Sequence, residues 1–299
     1  MTPSAASSIM PSIKDAYKDF LNSECGMKSY NRFKCTLYGP DDSLVECLNA
    51  EVLGKMPIAV GSKLNICDVG GGDGVRIRRI LRYLHDRFNQ RFSLDFVEQS
   101  SAQIGAFECR DICGFTEVKK HETLFEKWWT GSTYDLVFLI HSIFAFDDSD
   151  SFDKVLKLAN SNGTIVVVSN AEDSFLGGLK LILDAEYSDR RFEISDVVRN
   201  LIGRGVHFDE TRFQTRWTLQ ANDLQAGISS ILDWLSLGRY QDLPSGVKQT
   251  VRRYIEAKSS PASDGLSFSE EEVVLVITGQ DSQSAGAPNP PISSGAELR

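Results

Sequence analysis

A strand-like apolar run, Lys63–Val69, passes directly into Gly70-Gly71-Gly72-Asp73-Gly74, and Val75–Phe88 then takes up helical spacing, with Ile77, Ile80, Leu81 and Leu84 on one face. Few folds accommodate a strand, a glycine-rich turn and a helix in immediate succession. Glycines take up backbone angles that a β-carbon forbids, and they let a ligand approach the main chain closely. In an open α/β sheet such a turn lies at the carboxyl end of a strand, where ligands bind.

The rest of the chain supports that architecture. Phe92–Val97, Phe115–Lys119, Tyr134–Ile140 and Thr164–Ser169 read as further strands, and Ser101–Cys113 as a helix. Tyr134–Ile140 (YDLVFLI) and Thr164–Ser169 (TIVVVS) are near-continuous apolar runs, as parallel strands covered on both faces require. Strands alternating with helices predict an α/β fold, a Rossmann-like doubly wound and mostly parallel sheet. Beyond Ser169 the rhythm changes. Leu176–Tyr187, Ile194–Gly203, Asn222–Leu237 and Pro244–Lys258 read as helices, with strands at Val206–Trp217 and Val273–Thr278. These segments are expected to complete the sheet and to cap the substrate site. The predicted organisation is a flexible arm (1–11), one domain over 12–279 with its core at about 50–170 and its capping part at 171–279, and a disordered Ser/Gly/Ala/Pro-rich tail (280–299).

Composition narrows the function. With 299 residues and 41% hydrophobic residues the chain can bury a full core. Its formal charge of −9 is opposite to what a phosphate-tracking surface needs, so nucleic acid is not an expected partner. No apolar run reaches the roughly 18 residues of a membrane span, and Met1–Pro11 lacks the apolar centre of a secretory signal. Six cysteines (Cys25, Cys35, Cys47, Cys67, Cys109 and Cys113) form no CxxC pair and show no zinc spacing with histidine, so they read as reduced thiols that mostly fill the core. A cytoplasmic protein without a bound metal is expected.

The chemistry-bearing residues cluster at strand ends. Asp68 and Asp73 flank the glycine turn; their charge disfavours a pyrophosphate and suits a sulfonium cofactor carrying a free ammonium group. The glycine spacing fits the dinucleotide pattern GxGxxG only loosely. Glu98 ends the next strand, where an acid accepts hydrogen bonds from ribose hydroxyls. That feature marks nucleoside binding, which NAD enzymes share. Lys120-His121-Glu122-Thr123-Leu124 follows the third strand, on the adenine side of such folds, and His121 there reads more readily as a loop histidine than as a catalyst. Ile140-His141-Ser142-Ile143-Phe144 ends the fourth strand, so His141 is either a base or orienter at the reacting group or a packed structural histidine.

At these residues the sequence resembles the histamine N-methyltransferase family, over roughly Ile13 to Thr278. The resemblance runs through Phe20-Leu21-Asn22, Val69-Gly70-Gly71-Gly72, Val97-Glu98-Gln99-Ser100 with Gln103-Ile104, His121-Glu122-Thr123, Tyr134-Asp135, Val167-Val168-Ser169 and Leu232-Asp233-Trp234-Leu235. It implies a monomeric class I methyltransferase that uses S-adenosylmethionine and closes extra segments over a small aromatic amine. Its cofactor shell would fall on Gly70, Glu98, Gln103 and Ile140, with Asp68, Gly72 and Thr123 beside them; the family's serine after His-Glu-Thr is Leu124 here. Glu24 and Glu271 stand nearest the family's substrate-binding glutamate and asparagine. His141 replaces a pocket glutamine, Phe144 and Ala145 replace paired tyrosines, and Phe175 and Leu179 replace aromatic residues after the fifth strand. The departures gather in the substrate pocket, which implies the same reaction on an amine other than histamine.

On that reading a neutral His141 accepts the amine proton, Glu24 or Glu271 holds a second polar group of the substrate, and Phe144, Phe175 and Trp217 form walls. Three alternatives stay open: an O- or carboxyl-methyltransferase of a small natural product, a NAD-binding oxidoreductase and a non-catalytic S-adenosylmethionine-binding protein.

Overall fold

A computed structural model describes residues 12–38, 43–108, 114–146 and 149–279. The predicted arm, 1–11, and the predicted tail, 280–299, lie outside the described residues. The chain opens with three helices, α1 (Ile13–Leu21), α2 (Glu24–Tyr38) and α3 (Ser43–Cys47). The alternating unit follows as β1 (Lys63–Val69), α4 (Val75–Phe88), β2 (Arg91–Glu98), α5 (Ser101–Ala106), β3 (Phe115–Glu122), β4 (Tyr134–Ile140), α6 (Ser149–Leu156) and β5 (Ala159–Asn170). The closing part comprises α7 (Phe175–Asp184), α8 (Ile194–Gly203), β6 (Phe208–Gln220), α9 (Leu224–Leu235), α10 (Ser245–Lys258), β7 (Ser259–Ala262) and β8 (Gly265–Thr278).

The sheet order is β3-β2-β1-β4-β5-β8-β6, with β7 paired to β8. Strands β1 to β5 run parallel, whereas β8 inserts antiparallel between β5 and β6. The order reverses between β1 and β4, so the glycine turn after β1 stands at the topological switch point, where a crevice opens.

Strand periodicity divides the apolar runs between two cores. Val137 and Leu139 of β4, Ile165 and Val167 of β5, and Val273, Leu275 and Ile277 of β8 face one layer, against Phe152 and Val155 of α6 and Val197 and Leu201 of α8. Leu136, Phe138, Val166, Val168 and Val274 face the other, against Ile77, Ile80, Leu81 and Leu84 of α4. A third core lies beyond the sheet's edge. It joins Ile13, Tyr17 and Phe20 of α1 to Leu176 and Leu179 of α7, Trp234 of α9 and Val251 of α10. Helices α1 and α2 therefore belong to the cap together with the late segment, whereas α3 packs against α4.

Several bounds differ from the sequence reading. β8 begins at Gly265 rather than Val273, and it pairs with β6 from Phe208↔Ile277 to Gln220↔Gly265. The early half of β8 (GLSFSEEE) is polar and reaches past the sheet body into the cap, so it carries no apolar run. The helix after β2 stops at Ala106 because Phe107 turns to extended backbone and stacks on Phe96, ring centroids 4.2 Å apart. Cys109 and Cys113 lie outside the described residues. Of the others, Cys67 fills the core, whereas Cys25 is exposed and Cys47 only half-buried.

The Phe96–Phe107 stack lies directly under the glycine turn. Gly74 has φ +72°, and a β-carbon there would meet the Phe107 ring at 2.0 Å; one on Gly71 would meet Phe96 at 2.2 Å. Packing thus demands glycine at these two positions with no reference to a ligand. Gly74→Ala should destabilise the fold by about 2–4 kcal/mol, left-handed strain adding to overpacking. Gly105→Ala, with nothing within 4 Å of the new carbon, should be neutral or stabilising. Denaturant titration of both variants checks the contrast, and equal effects would contradict the packing argument.

Candidate functional site at the switch point

A cavity of about 480 Å³ opens at the carboxyl ends of β1, β2, β4 and β5. Its floor is the glycine turn; Tyr17 and Leu21 of α1, Tyr30, Phe33 and Lys34 of α2, and Trp234 and Leu235 of α9 cover it. The cover is an aromatic cluster centred on Trp234, whose ring lies 4.9 Å from that of Tyr30, 5.7 Å from Phe33 and 6.1 Å from Tyr17. Such contacts fix rigid apolar walls.

Among the residues expected to hold a cofactor, Asp68, Gly70, Gly72, Glu98, Gln103, Thr123 and Ile140 all line this one cavity. Gly70 has φ +69°, and a β-carbon on it would lie 2.5 Å from the Ser142 β-carbon, which brings the β1 turn against the β4 loop. Glu98 accepts the Gly72 N–H at 2.9 Å on one oxygen and the Ser100 N–H at 2.8 Å on the other. Gln103 is buried in α5, whose N-terminus Ser100 caps.

Two buried carboxylates share this floor. Burial first, and then the Glu98 charge, pushes Asp68 up to about 8. Burial also raises Glu98, against the opposing pull of its backbone donors. Asp73 also lines the cavity, and Lys34 Nζ of α2 donates to it.

His141 stands at the end of β4 with φ +53°, a left-handed angle that a non-glycine residue seldom adopts, and its N–H donates to the Val168 carbonyl at 2.8 Å. The angle turns the ring toward the buried Glu272, with Nε2 3.3 Å from Oε2. Burial, helped by Arg76 and Lys180, holds its pKa well below the usual value, so the ring is neutral at pH 7. Asn170 Nδ2 donates to both Glu272 oxygens at 3.3 Å. Phe144 completes this wall.

Three substrate candidates lie elsewhere. Glu24 is 83% exposed at the start of α2 and pairs with Lys28, one turn along the same helix. Glu271 points outward from β8 to Arg212 and Gln214, both at 2.8 Å. Phe175 packs behind the chamber against Trp217, Phe268 and Tyr254, so Trp217 is not a cavity wall either. His121 belongs to β3 itself, paired with Asp95 at 2.6 Å, outside the cavity. Period two explains the Glu271 error: in Glu270-Glu271-Glu272 the outer pair turns inward and the middle residue turns out. The sequence reading also missed Arg76, Lys180, Arg191 and Asn170. Lys180, the lone cation in the helix FLGGLKLILD and apolar-flanked on both sides, was the visible signal.

No family model matches the sequence, and no curated protein matches it either. Solved structures do match. The YcgJ protein of Bacillus subtilis aligns with a TM-score of 0.52 at 11% identity, over 79% of this chain and 99% of that one. A protein of Bacillus halodurans assigned as a methyltransferase aligns with a TM-score of 0.51 at 14% identity, over 78% and 98%. The likeness is one of fold. It confirms the Rossmann-like doubly wound sheet. Among the described residues no helix is long and apolar enough to cross a membrane.

The buried acids generate a stability prediction. In the unfolded chain a carboxyl group is ionised above about pH 4. In the native state Asp68 keeps its proton to about pH 8, and Glu270, likewise buried, to about pH 7. The native state thus holds protons that the unfolded state has lost, and stability falls as pH rises through this window. His141 acts in the opposite sense only below its ordinary pKa of about 6.5. The ligand-free Tm should therefore drop between pH 6.5 and 8.5, and Asp68→Asn should flatten the drop. Thermal melts across that range check it, and a level profile in the parent protein would contradict the burial argument.

Proposed function

We propose that the chain is an S-adenosylmethionine-dependent N-methyltransferase acting on a small amine-bearing acceptor. The observation that carries the reading is the buried pair Asp68 and Glu98 on the glycine floor of a cavity at the switch point. Burial raises both pKa values, and for Asp68 the Glu98 charge adds to it, so the pair favours a ligand that brings positive charge. A cofactor with a sulfonium and an ammonium group supplies it, whereas a dinucleotide pyrophosphate would add more negative charge. The floor also fits in shape: a β-carbon on Gly72 would crowd the Gln103 amide at 2.9 Å and the Tyr30 hydroxyl at 3.2 Å. The fold shared with the Bacillus halodurans protein is consistent with this reading.

When bound, S-adenosylmethionine supplies an electrophilic methyl group on a positively charged sulfur. The chain's residues then have defined tasks. Glu98 offers a remaining lone pair to ribose hydroxyls, since its two oxygens together have about four and the backbone donors do not use them all. Asp68 and the Gly70–Gly72 backbone receive the amino-acid end, with Arg76 of α4 as the nearby cation for its carboxylate. Gln103, Thr123 and Ile140 flank the nucleoside. Neutral His141 accepts the proton released by the attacking nitrogen, and Glu272 sets the direction of its ring. Trp234, Tyr30 and Phe33 keep water out and hold the acceptor nitrogen about 3–3.5 Å from the methyl group, where attack is effective.

Isothermal titration with S-adenosylmethionine followed by a labelled-methyl transfer screen of imidazole and indole amines tests the reading. Saturable binding and transfer to nitrogen are expected; transfer to oxygen would redirect the acceptor class, and absence of binding would overturn the proposal. Glu98→Gln should weaken cofactor binding by about 1.5–3 kcal/mol, the range for a hydrogen bond to a charged group. His141→Ala should leave cofactor affinity intact and lower kcat by roughly 10²–10⁴, the usual contribution of a positioned base. Unchanged turnover would remove His141 from the reaction.

A further inference from the structure

Buried cations line the part of the cavity formed by α7 and the segment after it. The two side chains there, Lys180 of α7 and Arg191 in the α7–α8 connection, are cations that line the chamber while only 6% and 4% exposed. Lys180 Nζ donates to Asn170 Oδ1 at 3.2 Å and sits 5.4 Å from the centre of the Phe144 ring. Arg191 Nη2 donates to the Leu235 carbonyl at 2.7 Å and lies 3.4 Å from Asp184 Oδ1, but its buried Nε has no hydrogen-bond partner among the described residues.

The neighbouring acids do not answer these cations from inside the chamber. Glu270 accepts the Ser174 hydroxyl and the Leu176 N–H, and Glu272 is held by Asn170 beside His141. Asp184 stands behind the wall, close to both cations. None of the three acids lines the cavity. A buried guanidinium with an unanswered N–H is costly unless a ligand completes it. The guanidinium edge matches a carboxylate in shape and charge. Beside these cations the walls are flat and apolar: Phe144, Tyr17 against it edge-on at 5.2 Å, and Trp234.

We infer that the acceptor is an aromatic or heteroaromatic amino acid whose carboxylate is held by Lys180 and Arg191, with its methyl-accepting nitrogen toward His141. The inference rests on the methyltransferase reading above and goes beyond it by naming the substrate class. It also reverses the expectation that acidic side chains, Glu24 or Glu271, hold the far end of the substrate.

Matched pairs that differ only by the carboxylate provide the test: L-histidine against histamine, L-tryptophan against tryptamine and L-tyrosine against tyramine. Each is titrated calorimetrically into the protein saturated with S-adenosylhomocysteine. In at least one pair the amino acid should bind tenfold or more tightly than its amine. That ratio should fall toward one in Lys180→Met and in Arg191→Met, with S-adenosylhomocysteine affinity unchanged. Should Arg191→Met fail to fold because Asp184 is left without its cation, Asp184→Asn/Arg191→Met carries the same comparison. Preference for the amine in every pair, or no binding of any amino acid, would overturn the inference. So would loss of S-adenosylhomocysteine affinity in the Lys180 and Arg191 variants, which would place the cations on the cofactor. Failure of the parent protein to bind S-adenosylhomocysteine would instead sink the methyltransferase reading itself.

Discussion

The Glu98 carboxylate ties the two ligand-facing turns of the sheet together: one oxygen takes an N–H from the turn after β1, the other an N–H from the turn after β2. Each bond is short and buried, so a strained glycine turn acquires a fixed partner. The Val97 carbonyl, next to Glu98, also accepts N–H groups from Gly70 and Gly71. Beneath the turn Phe96 and Phe107 leave no room for side chains at Gly71 and Gly74. The floor is thus determined twice, by hydrogen bonds from one side and aromatic packing from the other. Such rigidity is what a preorganised binding site requires, because little ordering remains to oppose the ligand.

The same floor holds two acids in a desolvated space, an arrangement that works against stability. Native cores seldom bury carboxylates without partners, and where they do the environment suits a task other than folding. Here the floor acids Asp68 and Glu98 and the buried cations Lys180 and Arg191 line one cavity. A ligand that is positive at one end and negative at the other would satisfy both. The polarity of the cavity therefore constrains its contents more tightly than its volume does.

The cover comes from distant parts of the chain. Tyr17, Phe33 and Trp234 meet in the third core although they belong to α1, α2 and α9. Lys34 fastens α2 to Asp73 of the glycine turn, so the cover and the floor are joined by charge as well as by apolar contact. One consequence is that α1 and α2 are part of the cavity, not an accessory to it.

By itself the sequence determined the sheet. The strand runs are apolar because both faces are covered, and the glycines sit where a strand must turn into a helix, so β1, α4 and β4 have the bounds that their patterns predict. It also picked out residues that come together in one cavity, Asp68, Gly70, Gly72, Glu98, Gln103, Thr123 and Ile140, since a strand end fixes the position of the residue that follows it. Tertiary structure alone decided the acceptor side. β8 is polar over its early half, so its register, and with it the choice of Glu270 and Glu272 over Glu271 as inward residues, depends on pairing with β5 and β6. Lys180 and Arg191 reach the cavity only because α7 packs against β8, α9 and α10. Local patterns encode where a chain turns. They do not encode which distant side chains a turn will face, and the buried cations reach the cavity through such long-range contacts.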